Sequence, residues 1–248
     1  MNTIIWDGEI DMGWEELTTQ ISLIADRFIV EALRCSKYSN NVEIKKLITE
    51  SSMSRFHAVI SAITSDLSDG SYYEMEDVTD DADGDSLKMK SWIMLGSAVE
   101  SSLQIFLSVY LSDYNKSHWQ QWKDFSEAET KDAISATIKS LVDTNTIEAA
   151  QGRSIREAVK DEIKLHTKPH LIERVMLDEL ILFFEKNEIF DKDDIDELRN
   201  IQSNRNCIHA YMERRIGTWM DLQYSTRFFC YMMENMRYRF PNIDNVEE

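Results

Sequence analysis

LKMKSWIMLGSAVESSLQIFLSVYLSDY, residues 87–114, holds the reading of the fold. Trp92, Val99, Leu103, Phe106, Leu107, Tyr110 and Leu111 recur at helical spacing and gather on one side of a helix. Gly96, Ser97 and Ala98 are small enough for a neighbouring element to approach that helix closely. A long helix with a broad apolar side and a small-residue patch belongs at the centre of a helical core. The rest of the chain agrees: two prolines and seven glycines are too few for the many tight turns of a β fold, so the predicted class is all-α.

Toward the N-terminus, Leu17, Ile21, Ile24 and Phe28 mark an amphipathic helix over 14–36. After Ser39-Asn40-Asn41, Ile44, Leu47, Ile48, Phe56, Ile60, Ile63 and Leu67 mark a second, and residues 1–68 read as a helical hairpin. From Asp66 to Asp85 the chain carries nine acids and no base, so residues 69–86 read as a self-repelling linker before a bundle over 87–248. Asp81-Ala82-Asp83-Gly84-Asp85 resembles part of a calcium loop. With Gly84 sixth, however, Thr79 falls first and Lys90 twelfth, where acids are needed, so no metal is expected.

Toward the C-terminus, a helix is expected over 124–141, with Phe125, Ala133, Ile134, Ile138 and Leu141 inward, and a polar one runs from there toward Pro169. His166 and His170 are four apart, but Pro169 interrupts the helix that would align them for zinc. Leu171–Phe184 repeats apolar residues. Asp191, Asp193 and Asp194 then open a helix expected to reach Arg214-Arg215, with Gly217 beyond, and Trp219–Phe240 makes the last one before Pro241.

The net charge of −18 argues against a broad basic surface for nucleic acid, so any phosphate chemistry must be local. Between Arg199 and Phe240 seven arginines oppose three acids. Cys35, Cys207 and Cys230 form no CxxC pair and read as small buried apolar groups. No continuous apolar run of about eighteen residues is present and the start is acidic, so the expectation is a cytoplasmic protein with no membrane partner.

The chemically suggestive stretch is Leu198-Arg199-Asn200-Ile201-Gln202-Ser203-Asn204-Arg205-Asn206-Cys207-Ile208-His209-Ala210-Tyr211. Late on the expected helix, Arg205 and His209 are four apart, which sets them on one face with Cβ atoms roughly 6 Å apart. A guanidinium neutralises phosphate oxygens as charge builds, and an imidazole near neutrality moves a proton to or from the reacting oxygens, so RNA cleavage by such a pair needs no metal or other cofactor. The bland alternative is an arginine–histidine pair at the edge of a core. Glu100, a carboxylate on an apolar helix, needs a cationic partner such as Arg205.

These two stretches, Leu95-Gly96-Ser97-Ala98-Val99-Glu100-Ser101-Ser102-Leu103 and Arg205-Asn206 through His209-Ala210-Tyr211, resemble the first helix and the arginine–polar–histidine signature of HEPN domains, over roughly residues 87–240. The resemblance implies an antiparallel helical bundle with catalytic Arg205 and His209 oriented by Asn206. It also implies a homodimer whose motifs face one cleft, an RNA substrate, and a toxin–antitoxin or antiviral defence setting with an antitoxin or defence protein as partner. Tyr211 resembles the tyrosine modified in one toxin sub-group. Arg199, Arg214 and Arg215 are the accompanying RNA-contact candidates. Arg205 and His209 enclose three residues where the family has about four to six; counting from Asn204 gives four, but asparagine carries no charge. A silent HEPN-like adaptor that binds another protein, and an acidic decoy imitating nucleic acid, are the competing expectations.

Overall fold

The computed structural model describes residues 14–75, 82–117, 127–166, 169–208 and 216–242. Among them every regular element is helical: α1 (Trp14–Tyr38), α2 (Val42–Leu47), α3 (Glu50–Met75), α4 (Ala82–Val109), α5 (Leu111–Tyr114), α6 (Glu127–Asp143), α7 (Ala149–His166), α8 (Leu177–Lys186), α9 (Lys192–Arg205) and α10 (Trp219–Tyr238). Single 3-10 turns lie at Ile172–Arg174 and Asn206–Ile208. The described residues fall into two compact units, one drawn from the chain up to Leu111 and from Ile172 onward, the other from Ser112–Leu171.

In the first unit α4 is the axis, packed against α3, α9, α10, α8 and α1. Trp92, Leu95, Ala98, Val99 and Leu103 have no exposed surface. Each large one contributes roughly 1.5–3 kcal/mol by leaving water. By length and composition Asp85–Val109 could also cross a bilayer, which corrects the expectation that no such segment exists; serines and a glycine interrupt the apolar run without lowering its mean hydropathy far. Of its most apolar window, 67% lies inside the fold, as in a core helix.

Around this axis, α1 buries Leu17, Ile21, Ile24 and Phe28, the stripe read from the sequence, together with Ala25, and packs on α3 and α10. An aromatic series ties the elements together. Phe240, just past α10, stands 5.2 Å from Phe28 and 5.9 Å from Phe106, Phe106 is 5.9 Å from Phe184, and Phe184 is stacked 5.0 Å from Phe190. Cys35 and Cys230 are buried, and burial pushes their thiols up to about 11 and about 12, whereas Cys207 is only part-buried.

Several helix boundaries differ from the sequence reading. The single helix expected from Ile44 onward is broken at Ile48. There the Thr49 hydroxyl accepts from the Ser52 N–H at 3.1 Å, and the Ser52 hydroxyl accepts from the Thr49 N–H at 2.9 Å. This reciprocal cap restarts the helix as α3. The acidic stretch, expected as a linker, is helical from both sides, through Met75 and from Ala82, and its first acid, Asp66, 1% exposed, receives Lys90 Nζ from α4 at 2.6 Å. Residues 76–81, with most of the calcium-like stretch's side chains, lie outside the described residues.

In the second unit α6 and α7 pack on each other through Ile138 and Ile163. Gly152 lies so close to α6 that a Cβ there would stand 3.0 Å from Val142 and 3.2 Å from Ile138. Ala133, expected inward, is exposed, and Phe125 lies outside the described residues. The Tyr114 hydroxyl donates to the His170 carbonyl at 2.8 Å.

The turn into α9 carries a titration that bears on stability. Asp191 caps the helix, its carboxylate accepting from the Asp194 N–H at 3.0 Å. Burial, reinforced by the neighbouring Asp191 and Asp193 charges and opposed by Arg239, raises the Asp194 carboxyl from 3.8 to about 6. The folded state therefore holds this proton more tightly than the unfolded chain. Its contribution to stability is full below the unfolded value near 4 and is lost as pH rises toward 6. Asp194→Asn is expected to match the parent's Tm near pH 4 and exceed it at pH 7; a Tm advantage of equal size at both would contradict the assignment.

Candidate functional site

α9 is set on α4 by Ile195, Leu198 and Ile201, all buried and spaced to face one way. Its last residue, Arg205, suits the negative end of the helix dipole. The arginine stem crosses α4 directly over Gly96: a Cβ added there would stand 2.5 Å from Arg205 Cδ and 3.0 Å from Cγ. The guanidinium then meets the α4 carboxylate one turn further on, Nη1 to Glu100 Oε2 at 2.5 Å. Their side chains are 27% and 25% exposed, so water reaches the pair without washing over it. The small-residue patch and the glutamate read from the sequence thus serve a single contact.

α9 ends at Arg205, not at Arg215. Asn206 is its C-cap, with its backbone N–H directed to the Gln202 and Asn204 carbonyls. The run Ser203-Asn204-Arg205-Asn206-Cys207 explains the early stop, because serine, asparagine and cysteine are weak helix formers and the polar ones compete for backbone groups. Past Arg205 the chain turns through the 3-10 segment Asn206–Ile208, so the expected α-helical register is not continued there. His209, Tyr211, Arg214 and Arg215 lie outside the described residues. Nor is Gly217 the glycine that closes α9: it precedes Thr218, which caps α10 by accepting from the Asp221 N–H at 3.1 Å.

Arg199 is not part of this site. Its guanidinium is taken by Asp178 at 2.6 Å and Glu185 at 3.7 Å, both on α8, with Gln202 at 3.1 Å. It ties α8 to α9 instead of facing Arg205.

The sequence reading missed a string of polar groups between α9 and α10. The Ser225 hydroxyl donates to Glu197 Oε1 at 2.5 Å, and the Asn200 amide donates to the same carboxylate at 3.2 Å. Asn204 donates to Asn200 Oδ1 and to the Asn200 carbonyl, both at 3.1 Å, and accepts from the Gly217 N–H at 2.7 Å. Burial raises the Glu197 carboxyl, with the Ser225 and Asn200 donors opposing the shift. The one available signal was the spacing of Glu197, Asn200 and Asn204, which puts three polar residues on one helix face.

Chemically, the one carboxylate contact occupies part of a guanidinium that has five donors, and the side chain stays partly exposed. Among the described residues no group of three or more metal-ligating side chains comes together. No protein-family model, curated protein or solved structure matches this chain.

The Arg205–Glu100 pair is expected to behave as a coupled unit. In a double-mutant cycle with Arg205→Ala and Glu100→Ala, urea unfolding should give a coupling of about 1–3 kcal/mol. Gly96→Val should lower stability and shrink that coupling by displacing the arginine stem. A coupling near zero would mean that the two charges are only neighbours.

Proposed function

We propose that the chain is a HEPN-type endoribonuclease that needs no metal, with Arg205 holding the scissile phosphate and His209 moving protons. The supporting observation is the placement of Arg205: a part-exposed guanidinium at the end of α9, seated on the glycine and glutamate of α4. Those are the two segments that carry the resemblance. In the proposed reaction the RNA 2′-hydroxyl loses its proton to a base and attacks the adjacent phosphorus. The bond to the 5′-oxygen breaks, and that oxygen takes up a proton, leaving a 2′,3′-cyclic phosphate and a 5′-hydroxyl. Arg205 offsets the charge that grows on the non-bridging oxygens. Asn206 keeps its place in the proposal as the polar companion at the cap of α9. A homodimer, with two such sites at one cleft, in a toxin–antitoxin or antiviral setting belongs to the same reading.

A second reading has its own observation. Glu100 neutralises much of the Arg205 charge, and α9 stops before His209, which suits a silent HEPN-like adaptor that binds another protein. RNA cleavage in EDTA separates the two. The nuclease reading expects wild type to cut single-stranded RNA to cyclic-phosphate ends, and Arg205→Ala and His209→Ala to cut at least about 100-fold more slowly while folded by circular dichroism. Wild type that leaves RNA intact, or three proteins that cut alike, would leave the adaptor.

A further inference from the structure

We infer that Asn204 is a positioning residue for Arg205, holding the last turn of α9 in register with the entry to α10. This rests on the reading of Arg205 as the phosphate-binding group. Asn204 is 7% exposed, and in a helix interior a buried carboxamide is a liability unless each of its polar atoms is satisfied. Here both are. Nδ2 donates to the Asn200 carbonyl and to Asn200 Oδ1, bracing the final turn of α9 from within. Oδ1 faces outward from the helix and accepts the Gly217 backbone N–H at 2.7 Å.

The other side of this contact is fitted with equal closeness. A Cβ on Gly217 would stand 2.9 Å from Trp92 Cζ2 and 3.0 Å from Asn204 Oδ1. Trp92 is fully buried on α4, so it has no room to retreat, and only glycine brings a backbone N–H this near. Asn204 therefore joins three elements at one point: α9 through Asn200, the lead-in to α10 through Gly217, and α4 through the tryptophan against which Gly217 is wedged. Arg205 is the next residue. Its stem crosses α4 with no clearance above Gly96, so a small rotation of the last turn moves the guanidinium off Glu100. A helix end built from weak formers does not resist that rotation alone; the carboxamide supplies the resistance. The string continues through Asn200 to Glu197 and Ser225, which anchors it to α10 itself.

Hydrogen exchange and steady-state RNA cleavage, made on the full chain, test the inference separately from the activity it rests on. In wild type the Gly217 amide is expected to exchange at least tenfold more slowly than an unprotected amide, and free-peptide exchange there overturns the inference whatever the protein does to RNA. Asn204→Ala should speed exchange of Gly217 and of the last turn of α9 at least tenfold, with α1 and α4 core amides unchanged. Cleavage should fall at least tenfold in kcat with KM within twofold, since the substrate still binds but Arg205 is misdirected. Gly217→Ala, which strains the same contact from the other partner, should reproduce the loss, and the double variant should be no worse than either alone. Unchanged kcat in a folded Asn204→Ala protein, or additive losses in the double variant, overturns the positioning role. Failure of wild type to cleave removes the nuclease reading and with it the link to Arg205, leaving the exchange pattern to decide whether Asn204 holds the helix end.

Discussion

A guanidinium set against a carboxylate across a seam with clearance only for glycine is the constraint on which the rest of the molecule turns. Were α9 to sit further from α4, the Arg205 charge would lie in water and Glu100 would be stranded on an apolar helix. Were it to sit closer, the arginine stem would have no path over Gly96. α9 packs on α4 and buries Ile195, Leu198 and Ile201. Hydrophobic burial brings the helices together without direction; the charged pair and the glycine fix the register.

The same division of labour recurs. Trp92 anchors α4 by size, and Gly217 rests against it because no side chain fits there. Asp66 and Lys90 join α3 to α4 through a charge that would otherwise repel its acidic neighbours. Phe28 and Phe240 join α1 to the segment just past α10 through their rings, contributing area where polar groups contribute direction. The first unit is thus apolar in its bulk and polar at the points that decide alignment.

What could be read in advance follows the range of the interactions. Leu17, Ile21 and Phe28 announced α1, and Trp92 through Leu107 announced α4, because helical periodicity is local and survives without knowledge of neighbours; the division at Tyr110 that sets Leu111 in α5 was not announced. The two stretches that suggested a site, around Gly96–Glu100 and Arg205, do meet in space. The break at Ile48 was missed because a reciprocal pair of hydroxyl caps overrides an apolar stripe that continues through it. The end of α9 was misplaced because two arginines followed by glycine imitate a helix terminus, while the asparagines that end the helix gain their meaning from Gly217 and Asn200. Arg199, equally basic on paper, is committed to α8 by acids whose proximity only the fold creates.

The three cysteines differ in a way that has practical use. Cys35 and Cys230 are kept as neutral thiols inside the core, so at ordinary pH they present almost no nucleophile to a reagent. Cys207 sits two positions past Arg205, part-exposed, its thiol directed to the Ser203 carbonyl at 3.4 Å. The chain therefore carries its own attachment point for a fluorophore or spin label, adjacent to the residue whose environment is of most interest and without any engineered substitution.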